Sequence, residues 1–145
     1  VRAHLAAFEL PADQLRFEIT ESAMLGDAEH ALTTIFRLKA LGIDFAVDDF
    51  GTGFSSLAYL RDMPLRSLKI DKSFVARLDR NERDVSIVRS TVHLAHDLGL
   101  TVVAEGVESP RPAQRVRELG CDEAQEFAIL APATGDQVGA WLAAR

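Results

Sequence analysis

Residues 43–71, IDFAVDDFGTGFSSLAYLRDMPLRSLKID, contain a strand, a loop, a helix and a second strand in succession. Ile43 to Val47, apolar except at Asp44, reads as the first strand, and two acids and a glycine-rich loop follow it. Ser55 to Asp62 reads as a short helix broken before Pro64, and Ser67 to Ile70 as the next strand. Strands that are apolar nearly throughout are buried on both faces, as in parallel sheets covered by helices. The unit is therefore read as βαβ.

The same alternation extends in both directions. Upstream, Val1, Leu5 and Phe8 have helical spacing and stop at Pro11, Leu15 to Ile19 reads as a strand, and Asp27 caps a helix. That helix carries Ala31, Ile35, Leu38 and Leu41 on one face and ends at Gly42. Downstream, Asp84 to Leu98 is helical with Val85, Val88, Val92 and Ala95 in register, Gly99 stops it, and Thr101 to Ala104 is a strand. Ser109 and Pro110 open another helix that Gly120 closes; a weak strand near Ala124 and a helix from Gly135 to Ala144 finish the chain.

Polar groups stand at the C-terminal end of each apolar run: Glu18, Asp48 with Asp49, Lys69 with Asp71, Glu105, and Gln125. In a barrel, residues from several strands converge at that end, whereas an open doubly wound sheet gathers its ligand contacts at one switch point. The expected fold is α/β, a partial TIM-type (β/α) barrel of about five C-terminal βα units with the N-terminal strands missing. A whole barrel takes about 250 residues, and this sequence has 145. Five strands cannot close, so an unpaired edge and an exposed apolar face are expected.

Composition narrows the function classes. A hydrophobic share of 48% and a charged share of 26% describe one ordinary globular domain. No apolar run is long enough to span a bilayer, and VRAHLAAFEL lacks the zones of a signal peptide, so a cytoplasmic setting is expected. The single cysteine, Cys121, excludes an internal disulfide and is expected in the core. A net charge of -6 with scattered basic residues argues against a nucleic-acid polymer as partner. An anionic ligand remains compatible where carboxylates first hold divalent cations.

Four stretches carry chemistry. Asp48 and Asp49 offer hard oxygen ligands, and Gly51 and Gly53 let the following loop turn tightly; a capped turn with solvated acids is the plainer alternative. In FEITES, Glu18 is a further candidate ligand, while Glu21 either braces a neighbouring loop or caps the next helix. Lys69, flanked by apolar residues in a buried strand, requires carboxylates or a phosphate beside it. Glu105 can bind metal or activate water, Gly106 relieves crowding beside it, and Glu108 can cap the helix at Ser109. His93 and His96, spaced i, i+3, read as a partly exposed helix face and not as a metal site.

Taken in order, FEITES, DDFGTGFSSL, LKIDKSF, VVAEGVES and CDEAQ resemble the EAL family from about Leu15 to Pro132. The resemblance implies that residues 1–145 are the C-terminal portion of a single EAL domain. It also implies a barrel that binds cyclic-di-GMP and hydrolyses it to pGpG with two Mg or Mn ions. By the same resemblance Glu18, Asp48, Asp49 and Glu105 are metal ligands, Glu105 is also the general base, and Lys69 lies near the attacking water. Glu21, Thr52, Gln125 and Glu108 support the substrate or the loops. The Glu-Ala-Leu motif and an upstream asparagine ligand are not in this sequence, and Glu126, Phe127 and Ala131 depart from the family pattern. Little or no turnover is therefore expected from these residues alone, and a noncatalytic module binding cyclic-di-GMP or a protein is the alternative. The resemblance also allows a homodimer and an upstream sensory or GGDEF domain in a longer chain.

Overall fold

A computed structural model describes residues 1–20, 28–53, 57–125 and 133–144. Helix α1 (Arg2–Ala7) and a 3-10 turn (Ala12–Gln14) lead into β1 (Arg16–Thr20), followed by α2 (Ala28–Lys39), β2 (Asp44–Phe50), α3 (Leu57–Asp62) and β3 (Ser67–Ile70). Then come α4 (Lys72–Val75), α5 (Glu82–Asp97), β4 (Thr101–Glu105), α6 (Pro110–Glu118), β5 (Glu123–Gln125) and α7 (Gly135–Ala143). The expected alternation is present. The 3-10 turn and α4 are additions, each too short to show a periodic pattern. The expected cap Asp27 and the helix start at Ser55 lie outside the described residues. Ser109 is at the N-cap of α6 but its side chain makes no capping bond; Pro110 at N1 starts the helix.

All four strand pairings are parallel, and the order β1-β2-β3-β4-β5 never reverses. A doubly wound sheet reverses at its switch point, so this order is that of a barrel wall. The wall is curled. Across a flat sheet, β1 and β5 would lie about 19 Å apart, yet Arg16 Nη1 of β1 comes within 4.0 Å of Glu123 Oε2 of β5.

Burial follows from this curl. On the convex side Phe45, Val47, Leu68, Ile70, Val102 and Ala104 pack under Ile35, Leu60, Val85, Val88 and Val92 from the helices. The expectation of strands buried on both faces holds for β3, buried at every position, but not for β1, which alternates, or β5, which is exposed throughout. The concave face is polar, carrying Arg16, Glu18, Asp44, Asp48, Lys69 and Glu105. The expected exposed apolar surface lies beside β1, at one edge of the sheet. Val1, Phe8 and Leu10 are exposed and, with Leu15 and Phe17, line a groove of about 370 Å³ beside β1. Cys121 is half-buried against the core, and burial, with Asp122 beside it, pushes its thiol pKa up to about 11, which disfavours the thiolate at neutral pH.

Three-residue β5 is held by a side chain. Asp122 Oδ2 accepts from the Val102 backbone N–H at 2.7 Å and lies 2.9 Å from His96 Nε2, which gives His96 a tethering role. Burial raises the Asp122 pKa, but these bonds outweigh it and hold the carboxyl below its ordinary value. Asp122→Asn is expected to cost about 1 kcal/mol, since the carboxylate is partly solvent-screened. The stability supplied by Asp122 is present above the ordinary aspartate pKa and is lost as pH falls through the lower folded value. Urea unfolding at pH 7 and pH 3 tests this: the gap between wild type and variant should shrink at the lower pH.

Candidate functional site

β3 is the central strand, and Lys69 rises from it into the concave face. Its Nζ lies 2.8 Å from Glu18 Oε1 on β1, 3.0 Å from Asp48 Oδ1 on β2 and 2.5 Å from Glu105 Oε1 on β4. The register accounts for this meeting. Thr20 pairs with Asp48, Val47 with Leu68 and Lys69 with Val103, so the period of two along each strand turns all four side chains to the same face. Burial alone would lower the lysine pKa, but Glu105, Glu18 and Asp48 outweigh it and hold Nζ–H₃⁺ charged, well above its usual value. Glu105 is pushed above the usual carboxyl range, first by burial and then by Asp48 and Glu18, with Lys69 opposing.

Adjacent strand residues point to opposite faces, so Asp48 and Asp49 would be separated in a regular strand. β2 breaks its register between Val47 and Phe50, and Asp49 takes the left-handed conformation at φ 55. This bulge brings both acids to one side, at a backbone cost of about 1 kcal/mol. As a result, carboxylate oxygens of Asp48, Asp49 and Glu105 all lie within 4.8 Å of one another. The Asp49 pKa is raised, first by burial and then by Asp48 and Asp71.

The charge balance invites cations. Glu18, Asp48 and Glu105 pair with the ammonium of Lys69, Asp49 lies in the field of Lys69 and Lys72, and Asp48 Oδ1, though buried and close to Lys69, is out of line for a hydrogen bond. The surplus of hard oxygen donors fits divalent cations that take oxygen ligands.

A family model described as EAL domain matches residues 1–132. The chain belongs to the EAL domain family. It is 40% identical over 132 residues to the cyclic di-GMP phosphodiesterase NbdA of Pseudomonas aeruginosa, covering 91% of this chain and 17% of that protein. The PaMucR phosphodiesterase, solved as a c-di-GMP complex, superposes with a TM-score of 0.89 at 38% identity, over 95% of this chain and 56% of that one. BlrP1 of Klebsiella pneumoniae, in a manganese/c-di-GMP complex, gives a TM-score of 0.81 at 32% identity, over 86% of this chain and 32% of that one. The chain thus spans less than a fifth of the curated relative and about half of the PaMucR chain.

Of the residues singled out in this EAL sequence, Glu18, Asp48, Asp49, Lys69 and Glu105 come together. Glu105 pairs in register with Gln125, and both line a pocket of about 210 Å³ with Lys72, Gly106 and Glu108. Thr52 lies at the rim of the β2 loop, where its Oγ1 donates to the Asp49 carbonyl at 2.9 Å. Glu21, Glu126, Phe127 and Ala131 lie outside the described residues. Sequence reasoning missed α4 as a structural part of this EAL site. Its one signal was Asp71, whose Oδ1 accepts from the Ser73 backbone N–H at 2.9 Å as an N-cap.

Proposed function

We propose that this chain is the C-terminal portion of an EAL phosphodiesterase domain that hydrolyses cyclic-di-GMP to pGpG. The observation that carries the reading is the convergence of Asp48, Asp49 and Glu105 within 4.8 Å beside Lys69. Glu18, Asp48, Asp49 and Glu105 are assigned to hold two Mg or Mn ions. Cations bound there would supply Lewis-acid stabilisation of the phosphate oxygens and lower the pKa of water.

The chain's own residues do the rest. Glu105, with its raised pKa, is suited to accept a proton from the attacking water at a carboxylate oxygen. Lys69 keeps its proton and directs Nζ–H toward developing negative charge. The pocket formed with Gln125 and Glu108 is assigned to substrate contact, and Thr52 with Glu21 to holding the β2 loop.

Domain completeness decides activity in this reading, because the Glu-Ala-Leu and asparagine ligands of the family would come from preceding strands. Chromatographic assay of pGpG with Mg or Mn should show little turnover for residues 1–145 and metal-dependent turnover for a longer chain carrying the preceding strands. Saturable cyclic-di-GMP binding by that longer chain, with no pGpG formed in either metal, would replace hydrolysis with sensing.

A further inference from the structure

The acids stand at the ends of β2 and β4, a loop follows each of these strands, and helix α4 lies after the strand between them. Each loop closes on α4 through a glycine. A Cβ placed on Gly51, two residues after Asp49, would stand 3.0 Å from Phe74 Cε2 and 3.3 Å from Cζ. A Cβ on Gly106, directly after Glu105, would stand 2.6 Å from Lys72 Cβ. The Phe74 ring and the Lys72 stem thus fill the places where side chains of the two loops would otherwise lie. Helix α4 is itself fixed: Asp71 caps it, and Val75, fully buried, anchors it in the core.

We propose that α4 sets the distance between Asp49 and Glu105, and that Phe74 is the positioning residue on the Asp49 side. This rests on the reading above that these acids hold divalent cations. The Phe74 ring is the wall against which the Gly51 turn rests, and that turn follows the left-handed Asp49 by two residues. Without the ring, the bulge that aims Asp49 at Glu105 loses its outer support, while the Lys69 pairs with Glu18, Asp48 and Glu105, carried on the strands, stay in place.

The test compares Phe74→Ala and Phe74→Tyr with wild type in the longer chain carrying the preceding strands, with two readouts besides turnover. Amide hydrogen exchange without metal is expected to quicken about tenfold at residues 50–53 in Phe74→Ala and to be unchanged across β3 and β4. Mn²⁺ affinity, followed by the EPR signal of free Mn²⁺, is expected to fall about tenfold in Phe74→Ala and to be retained in Phe74→Tyr. Unchanged exchange at residues 50–53 in Phe74→Ala, or quickened exchange with undiminished Mn²⁺ affinity, would overturn the positioning role alone. Exchange that quickens throughout the sheet would also overturn it, showing a general packing loss. A wild-type chain that binds no Mn²⁺ would overturn the metal assignment and this inference with it.

Discussion

Lys69→Met is expected to destabilise the metal-free protein by about 3 kcal/mol, and saturating Mn²⁺ should recover most of the loss. The side chain is only 7% exposed, and its ammonium is the counter-charge for Glu18, Asp48 and Glu105 at once. Breaking a buried ion pair from one side costs about 3–5 kcal/mol because the partner charge remains. The lower end applies here, since the Glu18 side chain is 48% exposed and water screens it. Methionine fills much of the lysine stem's volume and leaves the carboxylates facing one another. A divalent cation then takes over the ammonium's role, and a ligand at a hundred times its dissociation constant stabilises by about 2.7 kcal/mol. Urea unfolding in EDTA and in Mn²⁺ tests the expectation, which requires Mn²⁺ to stabilise the variant more than wild type. Equal stability of the two proteins in EDTA would show that the cluster does not depend on the ammonium. In a longer chain with the preceding strands, turnover should fall about 100-fold, the loss typical of removing one preorganised charge donor.

The strands and their polar ends were legible because burial leaves a simple trace. In β2, Phe45 and Val47 are apolar because they face the helices, while the acids Asp44 and Asp48 alternate with them on the concave side, Asp48 at the mouth. Lys69 was legible for the same reason: an ammonium between Leu68 and Ile70 has to meet carboxylates. The meeting of Asp48 with Asp49 was less so. Their adjacency suggests a pair of ligands, but the alternation of strand side chains would part them, and only the bulge at Asp49 reconciles the two. A left-handed aspartate leaves little sequence trace beyond the glycine two residues on.

Other features depend on partners far along the chain. The expected apolar face follows from five strands that cannot close, and local sequence does not say where on the fold it lies. The observed sheet curls, and its inner layer holds Arg16, Asp44 and Glu123 in ion pairs with one another or with Arg66 and Lys39. His96, 26 residues from Asp122, could not be assigned its tether by local spacing. Helix α4 shows a similar limit: Phe74 is an unremarkable apolar residue until the fold sets it against Gly51.

Glu105→Gln separates the two roles assigned to this residue, metal ligation and proton acceptance, and is expected to lower turnover in the longer chain by about 10²–10⁴. The amide keeps one oxygen donor and the shape of the side chain but cannot take up the water's proton. The pH dependence carries the stronger test. Glu105 and Asp49 both have raised pKa values, so in the metal-free fold they bind protons at a pH where the unfolded chain has released them. Their contribution to metal-free stability therefore falls as pH rises from the ordinary carboxyl value to the raised one. A cation must displace those same protons, so Mn²⁺ affinity should weaken as pH falls, beginning above the ordinary carboxyl range. Above the ordinary carboxyl range the competing protons are those on Glu105 and Asp49, and Glu105→Gln removes the first, so the variant's affinity should depend less steeply on pH there while being lower at pH 8. An affinity and an acid limb identical to those of wild type would remove Glu105 from the metal site. A shallower limb with turnover intact would keep it as a ligand and assign the proton to another group.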